Sequence, residues 1–85
     1  MRRIHELKTK PLYYDAVVLR QKTAEVRLDD RGYQVGDLVE LYPWTKGLGR
    51  IGTNSVVREI TFILSAAEGP WLTEGHVMLC FGTPS

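Results

Sequence analysis

Lys22-Thr23-Ala24-Glu25-Val26-Arg27-Leu28 places three charged residues in a short segment that otherwise alternates like a strand. Read as a strand, it predicts Ala24, Val26 and Leu28 on one face and Thr23, Glu25 and Arg27 on the other, so that one face packs and the other presents chemistry. Lys22 falls where the backbone is changing direction, so its ammonium is expected to converge with the Glu25 carboxylate and the Arg27 guanidinium. Taken alone, Glu25 and Arg27 read as an exposed pair worth at most about 1 kcal/mol. The lysine beside them makes an anion anchor of the group, or an activated amine.

Working outward, Ile4 to Leu7 predicts a short first strand, and Thr9-Lys10-Pro11 carries helix-start chemistry, with Thr9 as a cap and Pro11 where a missing donor is harmless. A helix follows to about Leu19, with Leu12, Ala16 and Leu19 on one stripe and Tyr13 and Val17 on the next. On the other side, Asp29-Asp30-Arg31-Gly32 and Gln34-Val35-Gly36-Asp37 are polar turns. Leu38 to Pro43 then predicts a strand with Val39 and Leu41 facing one way. Residues 44–54 hold three glycines with Lys46 and Arg50 and predict a mobile hairpin loop. Ser55 to Leu64 is the longest β-like stretch and predicts a central strand, and Val77 to Phe81 predicts the last strand before a tail over residues 82–85. Five short strands and one early helix predict a mostly β single domain over residues 1–85, built as a small antiparallel barrel.

Eighty-five residues bury only about 60 to 65% of the surface of the unfolded chain, so a binding site is expected as a surface cleft and not as an internal chamber. The single cysteine, Cys80, excludes an internal disulfide and predicts a reducing, cytoplasmic setting. No apolar run approaches spanning length, so no membrane partner is expected. Net charge is +1, but residues 1–28 carry seven basic and three acidic side chains and the remainder four and seven. That gives +4 against −3, which either brings a phosphate backbone to the N-terminal third or is an ordinary fluctuation of charge.

Two motifs carry little. Gly47-Leu48-Gly49-Arg50-Ile51-Gly52 has dinucleotide-loop spacing but leads into a strand, where that loop requires a helix, so no cofactor is expected. His76 and Cys80 share a strand face and His5 could in principle supply a third ligand, but two certain ligands make no metal site, so no metal is expected.

The order of a lysine-bearing first strand, a helix with a tyrosine pair, a Gly-x-Lys-x-x-Glu-x-Arg motif and a Val-Gly-Asp turn resembles the ASCH domains of the PUA-like superfamily. The nearest resemblance is to a small, often phage-encoded branch, through His5-Glu6-Leu7-Lys8, Lys22-Thr23-Ala24-Glu25-Val26-Arg27, Asp30-Arg31-Gly32-Tyr33-Gln34-Val35-Gly36-Asp37 and Glu74-Gly75-His76-Val77. Arg20 departs from the motif's glycine, and Ala24 stands where that branch often has an aromatic. The resemblance implies a PUA-like barrel with a cleft at Lys22, Glu25 and Arg27, binding RNA or a modified nucleoside. Some relatives in the superfamily are hydrolases of acetylated cytidine or metal-independent ribonucleases. The amidohydrolase pattern asks for a lysine and a nearby threonine, and Lys22 fits, but Glu25 stands two residues after Thr23 where the threonine is needed.

The leading expectation is therefore an RNA- or nucleotide-binding module in which Lys8, Arg20, Lys22, Arg27 and Arg31 meet phosphate and Tyr13, Tyr14 or Trp44 stacks on a base. Glu25 would orient Lys22 or accept a base amino group. The first alternative is a hydrolase using Lys22, Thr23 and Glu25. The second is a phage-type protein that binds a host protein through residues 44–54.

Overall fold

The computed structural model describes residues 2–85. Its elements are β1 (Ile4–Thr9), α1 (Pro11–Val18), β2 (Ala24–Leu28), β3 (Leu38–Thr45), β4 (Gly49–Arg50), β5 (Val56–Ser65) and β6 (His76–Gly82), with a 3-10 turn at Ala66–Glu68. The chain is mostly β, as the alternating segments predict. One sheet runs in the order β1-β3-β5-β6-β2, with the short β4 paired beside β3. The longest strand, β5, lies at its centre.

Every pairing is antiparallel except β1 with β3, which run parallel in the register Ile4 with Leu38 through Thr9 with Pro43. That exception follows from connectivity, because the chain passes through α1 and β2 before returning to lie beside β1. Backbone pairing does not close the sheet. Strands β1 and β2 form its two edges, which face each other across an open seam, so the sheet is not closed into the expected barrel.

Leu7, Val39, Leu41, Ile60 and Leu79 are fully buried and pack with Val17, Tyr33, Val77 and Phe81. These residues come from β1, β3, β5, β6, α1 and the loop before β3. None comes from β2, and this reverses the expected facing of that strand. Glu25 is buried, whereas Val26 and Leu28 are 52% and 53% exposed. The apolar core is complete without β2, so the inner face of that edge strand meets the seam, where ion pairing satisfies its charges. Val26 and Leu28 lie outside, opposite Met78 and His76 of β6.

Helix α1 begins at Pro11 as expected, but Thr9 does not cap it. The Thr9 hydroxyl donates instead to the Leu7 carbonyl, and Lys10 at the N-cap makes no side-chain bond to the helix. Tyr14 and Val17 form the buried stripe, while Leu12 and Leu19 lie in solvent. The helix ends in a Schellman turn: the amides of Arg20 and Gln21 donate to the carbonyls of Val17 and Ala16. Arg20 occupies the left-handed position of that turn, at φ 61°. The glycine of the resembling motif at this position has a physical basis, since a side chain there crowds the next carbonyl.

The Gln34-Val35-Gly36-Asp37 turn is fixed by one carboxylate. Asp37 accepts from His5 Nε2 at 2.9 Å and from the amides of Gln34 and Arg3, joining β1 to the turn that launches β3. Both His5 and Asp37 are buried, and the edge of the Tyr33 ring packs on His5 with centroids 4.8 Å apart. Gly36 sits at φ 95°, where the reversal needs the absence of a side chain. Residues 44–54 form a hairpin whose base is paired, with Trp44 opposite Arg50 and Thr45 opposite Gly49. The Arg50 guanidinium lies 4.6 Å from the Tyr42 ring centroid.

Two outcomes follow. Replacing Arg20 with glycine relieves the left-handed strain, and thermal denaturation should show Tm rising by a few degrees, about 0.5–1 kcal/mol; a fall would contradict the account of this turn. Burial opposes ionisation of Asp37, but the His5 bond and the two amides outweigh it and hold the carboxyl below its usual range. Its contribution is therefore complete above the unfolded value near 3.8 and is lost as pH falls through the lower folded value. In denaturant titrations at several pH values, Asp37→Asn should cost about 1–3 kcal/mol at pH 7 and flatten the acid limb of the stability curve.

Candidate functional site

The open seam is a cleft of about 570 Å³. One wall comes from the end of β1 and the start of α1, through Lys8, Thr9, Lys10 and Tyr13. The other comes from Lys22 and β2, through Glu25 to Leu28, and the loop residues Asp30, Arg31 and Tyr33 complete it.

Glu25 organises the cleft. Its Oε2 accepts from Arg27 Nε at 2.6 Å, and its Oε1 lies 3.4 Å from Lys22 Nζ. Glu25 and Arg27 are two apart on one strand face, as the alternation predicts, and Lys22 folds back from the turn after α1, where strict alternation does not hold, so all three heads meet. Lys22 also donates to the Ala24 carbonyl, which engages two of the three donors of its ammonium.

Arg27 reaches across the seam. Its Nη2 donates to the Lys8 carbonyl on β1, two residues from Glu6, whose carbonyl accepts from Arg31 Nη1 at 2.9 Å. Two arginines from the β2 side thus bond alternate carbonyls of the opposite edge strand. The edges are bridged by side chains where backbone pairing is missing.

The charge of the cleft is unbalanced. Lys8, Lys10, Lys22, Arg27 and Arg31 face only Glu25 and Asp30. Among the described residues, neither Lys8 nor Lys10 pairs with a carboxylate. Their ammoniums rest over aromatic rings instead. Lys8 Nζ is 4.5 Å from the Trp44 centroid, and Tyr13 lies between Lys10 and Lys22 at 5.7 and 5.6 Å. Burial pushes the Tyr33 phenol up, against the pull of Arg31 and Arg27, so it stays a neutral hydrogen-bonding group at neutral pH.

Of the residues selected from sequence, Lys8, Tyr13, Lys22, Glu25, Arg27 and Arg31 line this cleft. Trp44 touches it through Lys8. Tyr14 is on the buried stripe of α1, and Arg20 and Thr23 flank a separate hollow on the far side of Lys22. Sequence reasoning missed Thr9, Lys10, Asp30 and Tyr33. The Asp30-Arg31-Gly32-Tyr33 run held the signal for two of them, since the turn that ends β2 has to run along the seam.

The family model described as a domain of unknown function, DUF3850, matches residues 4–81. The chain belongs to that family. It is also 42% identical over 81 residues to a protein of Escherichia phage P2, described as an uncharacterized 12.9 kDa protein in the GpA 3' region, with 93% of this chain and 68% of that protein covered. A phage-borne relative is in keeping with the resemblance drawn from sequence. The DUF3850 match opens on the first residue of β1 and closes within β6, so both strands of the seam lie inside it.

Glu25→Ala strands two cations beside each other and frees Arg27 from its aim. It should cost about 2 kcal/mol in denaturant unfolding and raise amide hydrogen exchange selectively along residues 24–28. Uniform exchange behaviour would contradict the seam assignment.

Proposed function

We propose that this DUF3850 chain is an RNA- or nucleotide-binding module, built on an ASCH, PUA-like plan, whose ligand lies in the seam between β1 and β2. One observation supports this reading above the others: five cations converge on two carboxylates, and two of those cations have aromatic rings and no carboxylate as neighbours. Phosphate oxygens are the partners such a surface lacks, and Tyr13 supplies a ring on which a base can stack. Arg27 and Arg31 each retain free N–H donors after bridging the seam, fixed in orientation before any ligand arrives.

Hydrolysis asks more of the same residues. It needs an unencumbered Lys22 amine with a hydroxyl beside it, whereas Lys22 already donates twice and Thr23 lies outside the cleft. Binding needs only fixed positive charge, and the geometry favours it. No helix among the described residues is long and apolar enough to cross a membrane, and a cytoplasmic ligand such as RNA is in keeping with this proposal.

Fluorescence-detected titration of short single-stranded RNA at several salt concentrations tests the proposal. Affinity should fall as salt rises, and Lys10→Ala should weaken binding several-fold for all sequences while reducing the salt slope by about 0.7, as expected for one lost phosphate contact. Absent binding, or binding indifferent to salt, would contradict it.

A further inference from the structure

Behind Lys22, away from the cleft, a hollow of about 30 Å³ lies among Val17, Arg20, Lys22, Thr23, Arg58, Phe81 and Gly82. That is room for one water-sized group at its floor, with the surface open above. Three of the lining residues are cations. No carboxylate among the described residues pairs with Arg20 or Arg58.

Both guanidiniums are held in place. Arg58, on β5, donates to the carbonyls of Val57 and Val17, the latter in the last turn of α1. Arg20 is set by the Schellman turn, and its Nη1 donates to the Thr83 hydroxyl at 3.1 Å. Burial, and then the charge of Arg20, lowers the proton affinity of Arg58, so the two groups sense each other as like charges without a counterion. Capping of α1 accounts for one donor of Arg58. It gives no reason for an arginine at position 20, where the backbone is left-handed and the side chain adds strain.

We infer that the hollow bounded by Arg20, Lys22 and Arg58 is a second anion subsite, which takes one phosphate of a nucleotide or nucleic-acid strand whose neighbouring groups occupy the cleft. The identity of the strand rests on the proposed function; the anion site rests on the geometry here. One phosphate oxygen fills the floor of the hollow, and the remaining oxygens meet Arg20 and the Thr23 hydroxyl at its rim. Lys22 lines both sites, with its ammonium held toward Glu25 on the cleft side, so it marks the boundary between two successive phosphates. The strand then passes from the seam over the turn between α1 and β2.

The probe is inorganic phosphate at constant ionic strength, followed by NMR at the Nε–H groups of Arg20 and Arg58 and the amides of Thr23 and Gly82. Saturable shifts are expected at all four in the wild-type chain. Arg20→Gly, which relieves backbone strain and keeps the fold, should weaken phosphate binding at least five-fold at Arg58, Thr23 and Gly82, and RNA binding about three-fold or more. Lys10→Ala should weaken RNA binding and leave the phosphate shifts unchanged. Absent or non-saturating shifts at Arg58, or shifts of equal affinity in Arg20→Gly, would overturn the subsite even if RNA binds the cleft. Saturable phosphate shifts that Arg20→Gly removes would uphold the subsite even if RNA fails to bind, in which case only the reading of the cleft falls.

Discussion

The Glu25 carboxylate, gripping Arg27 from the side, is the contact on which the arrangement of this molecule turns. A sheet whose first and last members are unpaired presents two rows of backbone groups that seek partners. Here the two rows face one another without backbone pairing, and guanidiniums span the seam. The Arg27 guanidinium donates to Glu25 through Nε and to the Lys8 carbonyl through Nη2, while Arg31 reaches Glu6 from the loop beyond β2. A buried carboxylate is costly without strong partners, and a charged hydrogen bond on each oxygen supplies them. One interaction therefore accounts for the inverted facing of β2, for the open seam and for the positive lining of the cleft.

A second buried carboxylate serves a different end. Asp37 gathers His5 and two backbone amides at the point where β3 departs, fixing the parallel pairing of β1 with β3. That pairing places the β1 edge opposite the β2 edge. One acidic group thus locates the first wall of the cleft and another holds the second wall to it. Of the two, Asp37 has its carboxyl held below the usual range by the His5 bond and the two amides, so its clamp persists until pH falls below that range.

How much of this was legible in the sequence depended on what each residue had to satisfy. Val39 and Leu41 were plain because β3 alternates regularly between buried and half-buried positions. The β5 segment was legible as a strand from its length and composition but not in its facing, since a bulge between Ile60 and Phe62 breaks the alternation and leaves Phe62 exposed. The shared face of Glu25 and Arg27 was legible from the period, and the convergence of Lys22 from the change of backbone direction before β2. Which way β2 faced was not, because alternation gives two faces without saying which is inside, and on an edge strand the polar face can turn inward when other charges complete it. The Thr9 cap failed because a hydroxyl can choose a nearer carbonyl. Position 20 was marked only as a departure from glycine, and its left-handed backbone explains why that departure has a cost.

Seam, clamp and charge make one claim: arginines joined to β2 hold the sheet edges at a set distance and present their remaining donors to a polyanion. NMR of the arginine side chains in the unligated protein tests it most directly. The account predicts resolved, slowly exchanging Nη protons for Arg27, with nuclear Overhauser contacts to Lys8 and Thr9 on β1. A single averaged Arg27 resonance with no contact to β1 would show that the edges are not bridged, and would contradict the account.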